Sequence, residues 1–415
     1  MAGDPKLTFE LVREAVAGSA AAFRLALKLD AVSPKVFPPT YEGGKYATEE
    51  RRIKDEKGNI QTVPCVLLDS VPSQANRMEL TLQEAWESGD IELPVIVVDF
   101  TAAGNPGVRK ITSFQAPHRI ADAILRDSLL GRQKFRQSEI GKALGEVGPG
   151  YATPLLRYAP HSLVFGMWDS TGPRGGLGVK FARAIISEII GVNAVPGLRT
   201  SSRIDPLNIR ANAGPIYRAK DGGWTTEEGK AQKQGNKYVL FKNKEDGDSK
   251  KEGKPAAIIH GNIKPVISEG GFTIDYAEQT TVLSLPALRR LRFPVKPGDK
   301  STPGGDAIAR TYLAALGLLG ATLAVEAGYD LRSRCLLRAA APVRWQLLGR
   351  PGEPDRTFDL SRDGAIELYN QALAAVRGAK LPIETDEIVL TPSDNLVKLV
   401  KESIKLAAAE TGGGD

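Results

Sequence analysis

The chain has only two cysteines, Cys65 and Cys335, and three histidines, His118, His161 and His260, among its 415 residues. Both cysteines sit inside apolar stretches, so there is no disulfide framework and no zinc spacing, and a reducing, cytoplasmic setting is expected. The histidines lie far apart in sequence and no H-E-x-x-H or C-x-x-C occurs, so neither metal-dependent nor histidine-based catalysis is expected. Long hydrophobic runs are missing too. The best candidate, Tyr312 to Val325, is closed by Arg310 and Glu326 and is too short to span a bilayer. It reads as a buried helix in which Gly317 and Gly320 allow close packing. Asp4, Lys6 and Glu10 come before any apolar run, so no signal peptide is expected. With 42% hydrophobic and 25% charged residues, the composition is that of a soluble globular protein, either two or three domains or one core with large insertions.

What is present is a glycine loop. Ser162 to Lys180 reads as an apolar strand, Ser162 to Trp168, running into Gly172, Gly175, Gly176 and Gly178 around Arg174, and then into a helix, Leu177 to Ile190. Glycines let backbone N–H groups approach an anion, and a helix N-terminus adds positive potential, so the loop suits phosphate. Nucleotide signatures fail here. Five residues after Gly172 comes Leu177 rather than glycine, Lys180 is followed by Phe181, and Gly176-Leu-Gly178 lacks the third glycine of a dinucleotide fingerprint. Phosphate contact without a nucleotide pocket remains, beside the plainer reading of a tight strand-to-helix turn.

Charge is unevenly spread along the chain. Arg157 to Arg218 carries eight Arg/Lys against three acids, and Pro286 to Arg350 eleven against four, which leaves the rest of this +6 chain net −6. Two basic, arginine-dominated segments suggest a face for a polyanion, since arginine's planar fork suits phosphate and base stacking. Two solvated surfaces without a partner are the alternative.

Further along, Leu7 to Ala17 reads as a short helix and Ala21 to Leu29 alternates as a half-buried strand. A charged hairpin through Lys57-Gly58-Asn59 leads to a strand at Val63 to Leu68. Ser73 is placed to cap a helix with Ala75, Met78, Leu82 and Trp86 on one face and Gln74, Arg77 and Gln83 on others. Leu93 to Phe100 reads as a buried strand, His118 to Leu130 as a short helix, and Glu139 to Leu144 as another piece of an insertion. Arg199 to Arg203 breaks the pattern, and Lys220 to Lys254 is a lysine-rich, extended insertion. Gly271 to Leu285 alternates, a long helix spans Asp306 to Ala327, and Cys335 to Leu348 reads as one strand. A helical region follows, amphipathic over Asn395 to Ala409. Strand, helix, strand, strand, helix with long insertions is the order of an α+β, ferredoxin-like or RNA-recognition-motif-like core.

Three segments carry a resemblance. Ser70-Val-Pro-Ser-Gln-Ala-Asn-Arg-Met-Glu79, Ala116-Pro-His-Arg-Ile-Ala-Asp-Ala-Ile-Leu125 and Phe165-Gly-Met-Trp-Asp-Ser-Thr-Gly-Pro-Arg-Gly-Gly-Leu-Gly178 together resemble the backbone subunit of type I-G (formerly I-U) CRISPR surveillance complexes, the Cas-seven branch of the RAMP superfamily. The resemblance implies one modified RNA-recognition-motif palm over residues 1–415. It adds a finger-like, helical insertion near 101–160, a thumb-like and lysine-rich insertion near 199–275, and a disordered tail at 410–415. It further implies a non-catalytic scaffold in a prokaryotic cytoplasm, without cofactor or metal. Copies would stack along a guide RNA (crRNA) and present it to a target DNA strand. The other partners implied are the large subunit, the repeat-processing subunit and a recruited helicase-nuclease.

Mapped on the motifs, Ser73, Gln74, Asn76 and Arg77 would hold a guide phosphate at a helix opening. Gly172, Arg174, Gly175 and Gly176 would hold a neighbouring phosphate, with Lys180 and Arg183 beyond. Trp168 would stack on a base, unless it is a core residue ending a strand. His118 and Arg119 would position RNA, and Arg199, Arg203 and Arg210 would contact it from the thumb, each with a purely structural alternative. Two other functions stay open: an RNA-cleaving backbone subunit using Asp69 or Asp169 with a metal ion, and an enzyme binding a phosphorylated metabolite in the glycine loop.

Overall fold

The computed structural model describes residues 5–54, 58–103, 109–172, 179–242, 251–350 and 352–411. The chain divides into two compact units, one formed by Met1–Pro196 with Gly271–Leu396, the other by Gly197–Gly270 with Val397–Asp415.

The elements that build the first unit are, in chain order, α1 (Phe9–Ala17), β1 (Ala22–Ala31), β2 (Thr48–Lys54), β3 (Ile60–Asp69), α2 (Val71–Glu87), β4 (Ile185–Val192), β5 (Tyr276–Ser284), α3 (Pro303–Glu326), β6 (Tyr329–Arg332), β7 (Cys335–Ala339), β8 (Trp345–Leu348), β9 (Arg356–Phe358) and α4 (Arg362–Gly378). They form a curled antiparallel sheet in the order β6-β7-β1-β5-β4-β3-β2, with β8 also pairing β1 and β9 pairing β8. The path β1–α2–β4–β5–α3–β7 with spatial order β7-β1-β5-β4 is a ferredoxin-like, RNA-recognition-motif-like palm, and the hairpin β2–β3 extends its sheet.

Period-two alternation sets the register. Phe23, Leu25, Leu27 and Leu29 of β1 lie opposite Leu283, Thr281, Gln279 and Ala277 of β5, and all eight are buried. Helices α2 and α3 cover this face. α3 is apolar all round because sheet, α2 and α4 surround it. The two glycines expected to permit close packing do so: a Cβ at Gly320 would stand 3.1 Å from Leu82 Cδ1, and one at Gly317 3.3 Å from Val164 Cγ1.

Several elements differ from the sequence-based expectation. The segment expected as a helix over Leu177 to Ile190 is instead a ribbon strand, Lys180–Phe181, followed by β4 at the centre of the sheet. Ile185, Ile186, Ile189 and Ile190 are β-branched, and β4 is covered on both faces over part of its length, so its apolar run mimics a helical stripe. The expected strand Ser162 to Trp168 is a helix, Pro160–Phe165, with proline in its first turn, then a two-residue strand, Met167–Trp168. Ser70 rather than Ser73 caps α2, accepting from the Ser73 N–H at 3.4 Å, and Gln74 and Gln83 face inward. The expected helix His118 to Leu130 is a 3-10 turn, a short helix and a strand, and Cys335 to Leu348 is two strands. Strand Ile388–Pro392 went unread in sequence; it joins Ile96–Asp99 in a five-stranded sheet with Lys110–Thr112, Ser128–Leu130 and Gln133–Lys134.

In the second unit, Arg199 to Arg203 belongs to a strand, Val195–Arg203, which pairs with Ile263–Thr273. The described part of the lysine-rich stretch, with the residues just before it, forms two small hairpins, Tyr217–Arg218 with Trp224–Thr225 and Lys233–Gln234 with Lys237–Tyr238. Ile216, Phe241 and Ala257 form a small core there. The final helix runs from Asp394 to Thr411, two residues into the expected tail, and residues 412–415 lie outside the described residues.

Candidate nucleic-acid interface

The three motif segments meet at one arginine. Arg119 takes φ 55° in the turn after His118, where Asp122 accepts the His118 N–H at 3.0 Å and the Ile124 N–H at 2.9 Å. Its Nε and Nη2 donate to both Glu79 oxygens at 2.6 and 2.7 Å, and its Nη1 donates to the Gly166 carbonyl at 3.0 Å. Glu79 is 1% exposed and Arg119 7%. Burial pushes the Glu79 carboxyl up to about 7 against the pull of Arg119. A bidentate pair this deep is costly to break from one side, about 3–5 kcal/mol. Arg119 therefore clamps α2 (through Glu79), its own turn and the Gly166 segment together, and its guanidinium faces the interior rather than a ligand. That corrects the expectation that Arg119 positions RNA. His118 is exposed, and its turn packs on Met167–Trp168.

A second hub organises the opening of α2. Asp69, fully buried at the end of β3, accepts from Ser73 Oγ at 2.8 Å, Gln74 Nε2 at 2.6 Å, Arg77 Nε at 2.9 Å and Arg332 Nη2 at 3.1 Å. Gln74 in turn accepts from Ser187 Oγ and Gln279 Nε2, both at 2.9 Å, and Tyr329 donates to Gln279 Oε1 at 2.7 Å. At 4% exposure Gln74 belongs to this buried network, which corrects its assignment as a phosphate contact. Ser73 and Arg77 are half-buried and Asn76 is exposed. Two guanidinium groups on one carboxylate leave an excess positive charge where Arg77 and Arg332 reach the surface, at 32% and 26% side-chain exposure. Arg332 was not singled out in sequence because its partner is 263 positions away.

At the base of the glycine loop, Met167–Trp168 pairs antiparallel with Lys180–Phe181, which sets Trp168 beside Lys180. Met167 and Phe181 point inward, whereas Trp168 is 54% exposed and Lys180 is exposed, so Trp168 is a surface residue and not part of the core. Asp169 accepts from the Thr171 N–H at 3.1 Å and from Arg136 Nη2 at 2.7 Å, and Arg136 also donates to the Thr171 carbonyl at 2.8 Å. Gly172 is half-buried against Asp169. Arg174, Gly175 and Gly176 lie outside the described residues. β4 stands where the helix after the loop was expected, so the helix dipole expected to favour phosphate there is missing among the described residues. Burial, then the nearby Arg119 charge, pull Arg183 below the ordinary guanidinium range.

The second unit carries Arg199, which donates to Ser268 Oγ at 3.1 Å, Arg203, which donates to the Ile259 carbonyl, and the exposed Arg210. Asp205 accepts from the Leu207 N–H at 3.0 Å and the Gly261 N–H at 2.6 Å, fixing a turn that leaves Ile204, Leu207 and Ile259 exposed among these arginines.

Residues 27–196 match the family described as CRISPR-associated protein GSU0053. The matched segment is less than half of the chain; it holds all three motif segments with both hubs' carboxylates and ends where the first unit gives way to the second. The likeness to a CRISPR-associated family is therefore a property of that segment. No curated protein matches the chain.

Proposed function

We propose that the protein is the guide-RNA-binding backbone subunit of a type I-G surveillance complex, a Cas-seven relative whose copies assemble along crRNA and present it for pairing with a target DNA strand. The single observation that carries this reading is the clamp: Arg119 brings Glu79, the His118 turn and Gly166 into contact across about ninety residues of sequence. This fixes α2, with its polar opening Ser73, Asn76 and Arg77, relative to the ribbon bearing Trp168 and Lys180. An exposed indole beside an amine is suited to stacking and phosphate neutralisation without base selection. Arg332 joins the grip through Asp69, and Arg199, Arg203 and Arg210 add a second basic surface on the inserted unit.

The role is structural rather than hydrolytic in this reading. Asp69, the first cleavage candidate, has its oxygens engaged by four donors and no exposure, and Asp169 holds Arg136 and Thr171. The large subunit, the repeat-processing subunit and a recruited helicase-nuclease would complete the cytoplasmic assembly.

The test is purification of the chain with its partner subunits. Particles should carry RNA of uniform length, and Trp168→Ala and Lys180→Ala should weaken guide binding equally for unrelated guide sequences, with Lys180→Ala lowering the salt slope by about one. Nucleic-acid-free monomers, or affinity lost only for particular guides, would refute the assignment. Periodic cleavage of complementary RNA with Mg²⁺, abolished by Asp169→Ala, would convert it to the hydrolytic alternative.

A further inference from the structure

Beside the ribbon lies a cavity of about 420 Å³, which two motif segments line through Ile120, Ala121, Met167 and Asp169. Phe135, Leu144 and Met167 form an apolar wall, and Arg126, Arg136 and Lys142 stand against the carboxylates Glu146 and Asp169, with Arg126 also paired to Asp127 at 2.7 Å. Its shape follows from local packing. The helix Glu139–Gly145 is seated so tightly on the Phe135–Arg136 backbone that a Cβ at Gly141 would lie 2.0 Å from the Phe135 carbonyl oxygen. That seating holds Lys142 and Leu144 over the cavity. Arg136 is held in place from the other side by Asp169 and the Thr171 carbonyl, so its guanidinium plane is set before any ligand arrives.

The cavity and the exposed indole are one residue apart. Along the two-residue strand, Met167 turns into the cavity at 8% exposure while Trp168 turns outward at 54%. A volume in the range of small-ligand sites, a thioether and ring wall, and a lining of three cations against two carboxylates match one nucleotide better than a bare phosphate, which has no use for the apolar wall. We propose that this cavity seats one unpaired nucleotide of the RNA strand that crosses Trp168, its base against Phe135, Leu144 and Met167 and its phosphate toward Arg126 and Lys142. The proposal rests on reading the Trp168–Lys180 face as a nucleic-acid interface.

Single-stranded RNA carrying 2-aminopurine at successive positions, titrated with the full chain, tests it. At least one position should change fluorescence on binding, and that change should disappear in Leu144→Trp, which fills the cavity. Affinity should drop roughly tenfold with it, as for loss of one stacked base. Lys142→Glu, at an exposed position that leaves the fold intact, should weaken binding several-fold, and adenosine monophosphate should compete for the site where inorganic phosphate does not. RNA that binds with Trp168-dependent affinity while both cavity variants match the wild type would overturn the cavity proposal and leave the interface standing. No RNA binding by the wild-type chain would overturn both. Loss of self-association rather than of the fluorescence change in Lys142→Glu would assign the cavity to a protein contact instead.

Discussion

Replacing Arg119 by methionine keeps length and apolar bulk but removes three hydrogen bonds at once. Glu79, 1% exposed, loses the donors at 2.6 and 2.7 Å that satisfy both of its oxygens, and the Gly166 carbonyl loses its donor at 3.0 Å. An uncompensated buried carboxylate costs about 3–5 kcal/mol, and the orphaned carbonyl about 1–3 kcal/mol more, an upper bound because Glu79 protonates in response. Glu79→Leu alone should cost a similar 3–5 kcal/mol by leaving the guanidinium buried without a counter-charge. The double variant, Glu79→Leu with Arg119→Met, removes both charges and leaves only the carbonyl unsatisfied, so its loss should be near 2 kcal/mol. The cycle therefore predicts a coupling of at least about 2 kcal/mol. Urea unfolding followed by circular dichroism, with unchanged m-values, reads all four corners. RNA affinity of the double variant separates an internal clamp from a ligand-binding residue. A clamp predicts affinity within about twofold of wild type once stability is restored, in keeping with additivity of uncoupled sites. The reasoning fails if Arg119→Met unfolds at the wild-type midpoint yet binds RNA tenfold more weakly, for then the guanidinium acts on RNA and not on Glu79.

Three further outcomes follow from the same structure. Asp69→Asn turns an amide donor toward Ser73, Gln74, Arg77 and Arg332, and should destabilise the chain by about 3 kcal/mol or more in the same unfolding assay; a stable Asp69→Asn protein that had lost an RNA-cleaving activity would instead restore Asp69 as a catalytic group. His161 is fully buried against Phe114, ring centroids 4.1 Å apart, and burial, then the Arg119 charge, push its pKa down from 6.5 to about 3. A depressed histidine contributes stability above its unfolded value and loses it as pH falls, so each pH unit between 6.5 and about 3 should remove about 1.4 kcal/mol. His161→Phe should abolish that slope, and an equal acid sensitivity in wild type and variant would refute it. Reversing charge with Arg332→Glu should weaken RNA binding as much as Arg77→Glu does, measured by fluorescence anisotropy at two salt concentrations, whereas an effect confined to Arg77 would remove Arg332 from the grip.

The palm was legible where one periodicity was available. β1 alternates cleanly because one face is covered, and the apolar run of α3, closed by Arg310 and Glu326, reads as the buried helix it forms. β4 was misread for the opposite reason. Its Ile185, Ser187 and Ile189 meet the helices while Ile190 and Val192 pack with Cys65 on the other face, so a strand buried on both sides shows the run of isoleucines that a broad helical stripe also shows. β-branching was the signal that favoured a strand. At the interface, residue type located the right segments but not the direction of each side chain. Arg119 and Gln74 look like ligand contacts in sequence, and their partners Glu79, Ser187 and Gln279 are brought to them only by the tertiary fold. Trp168 reads in sequence either as a stacking surface residue or as a core residue ending a strand; its outward turn depends on the two-residue ribbon with Lys180, which leaves no periodic pattern.

The Gly197–Gly270 part of the second unit is inserted between two strands that are themselves neighbours: Val192 at the end of β4 stands opposite Tyr276 at the start of β5. The first unit therefore needs from that insertion only a closed loop, and loop closure grows so slowly with length that exchanging about eighty residues for a two-residue turn changes it by only about 3 kcal/mol. Length and sequence there are free to drift on a timescale set by the insertion's own task, while β4–β5 pairing is indifferent to them. The same arrangement makes β4–β5 closure a contact of high sequence separation, so in a folding experiment a chain with that insertion cut to a two-residue turn should keep its palm and reach it faster than the full chain does.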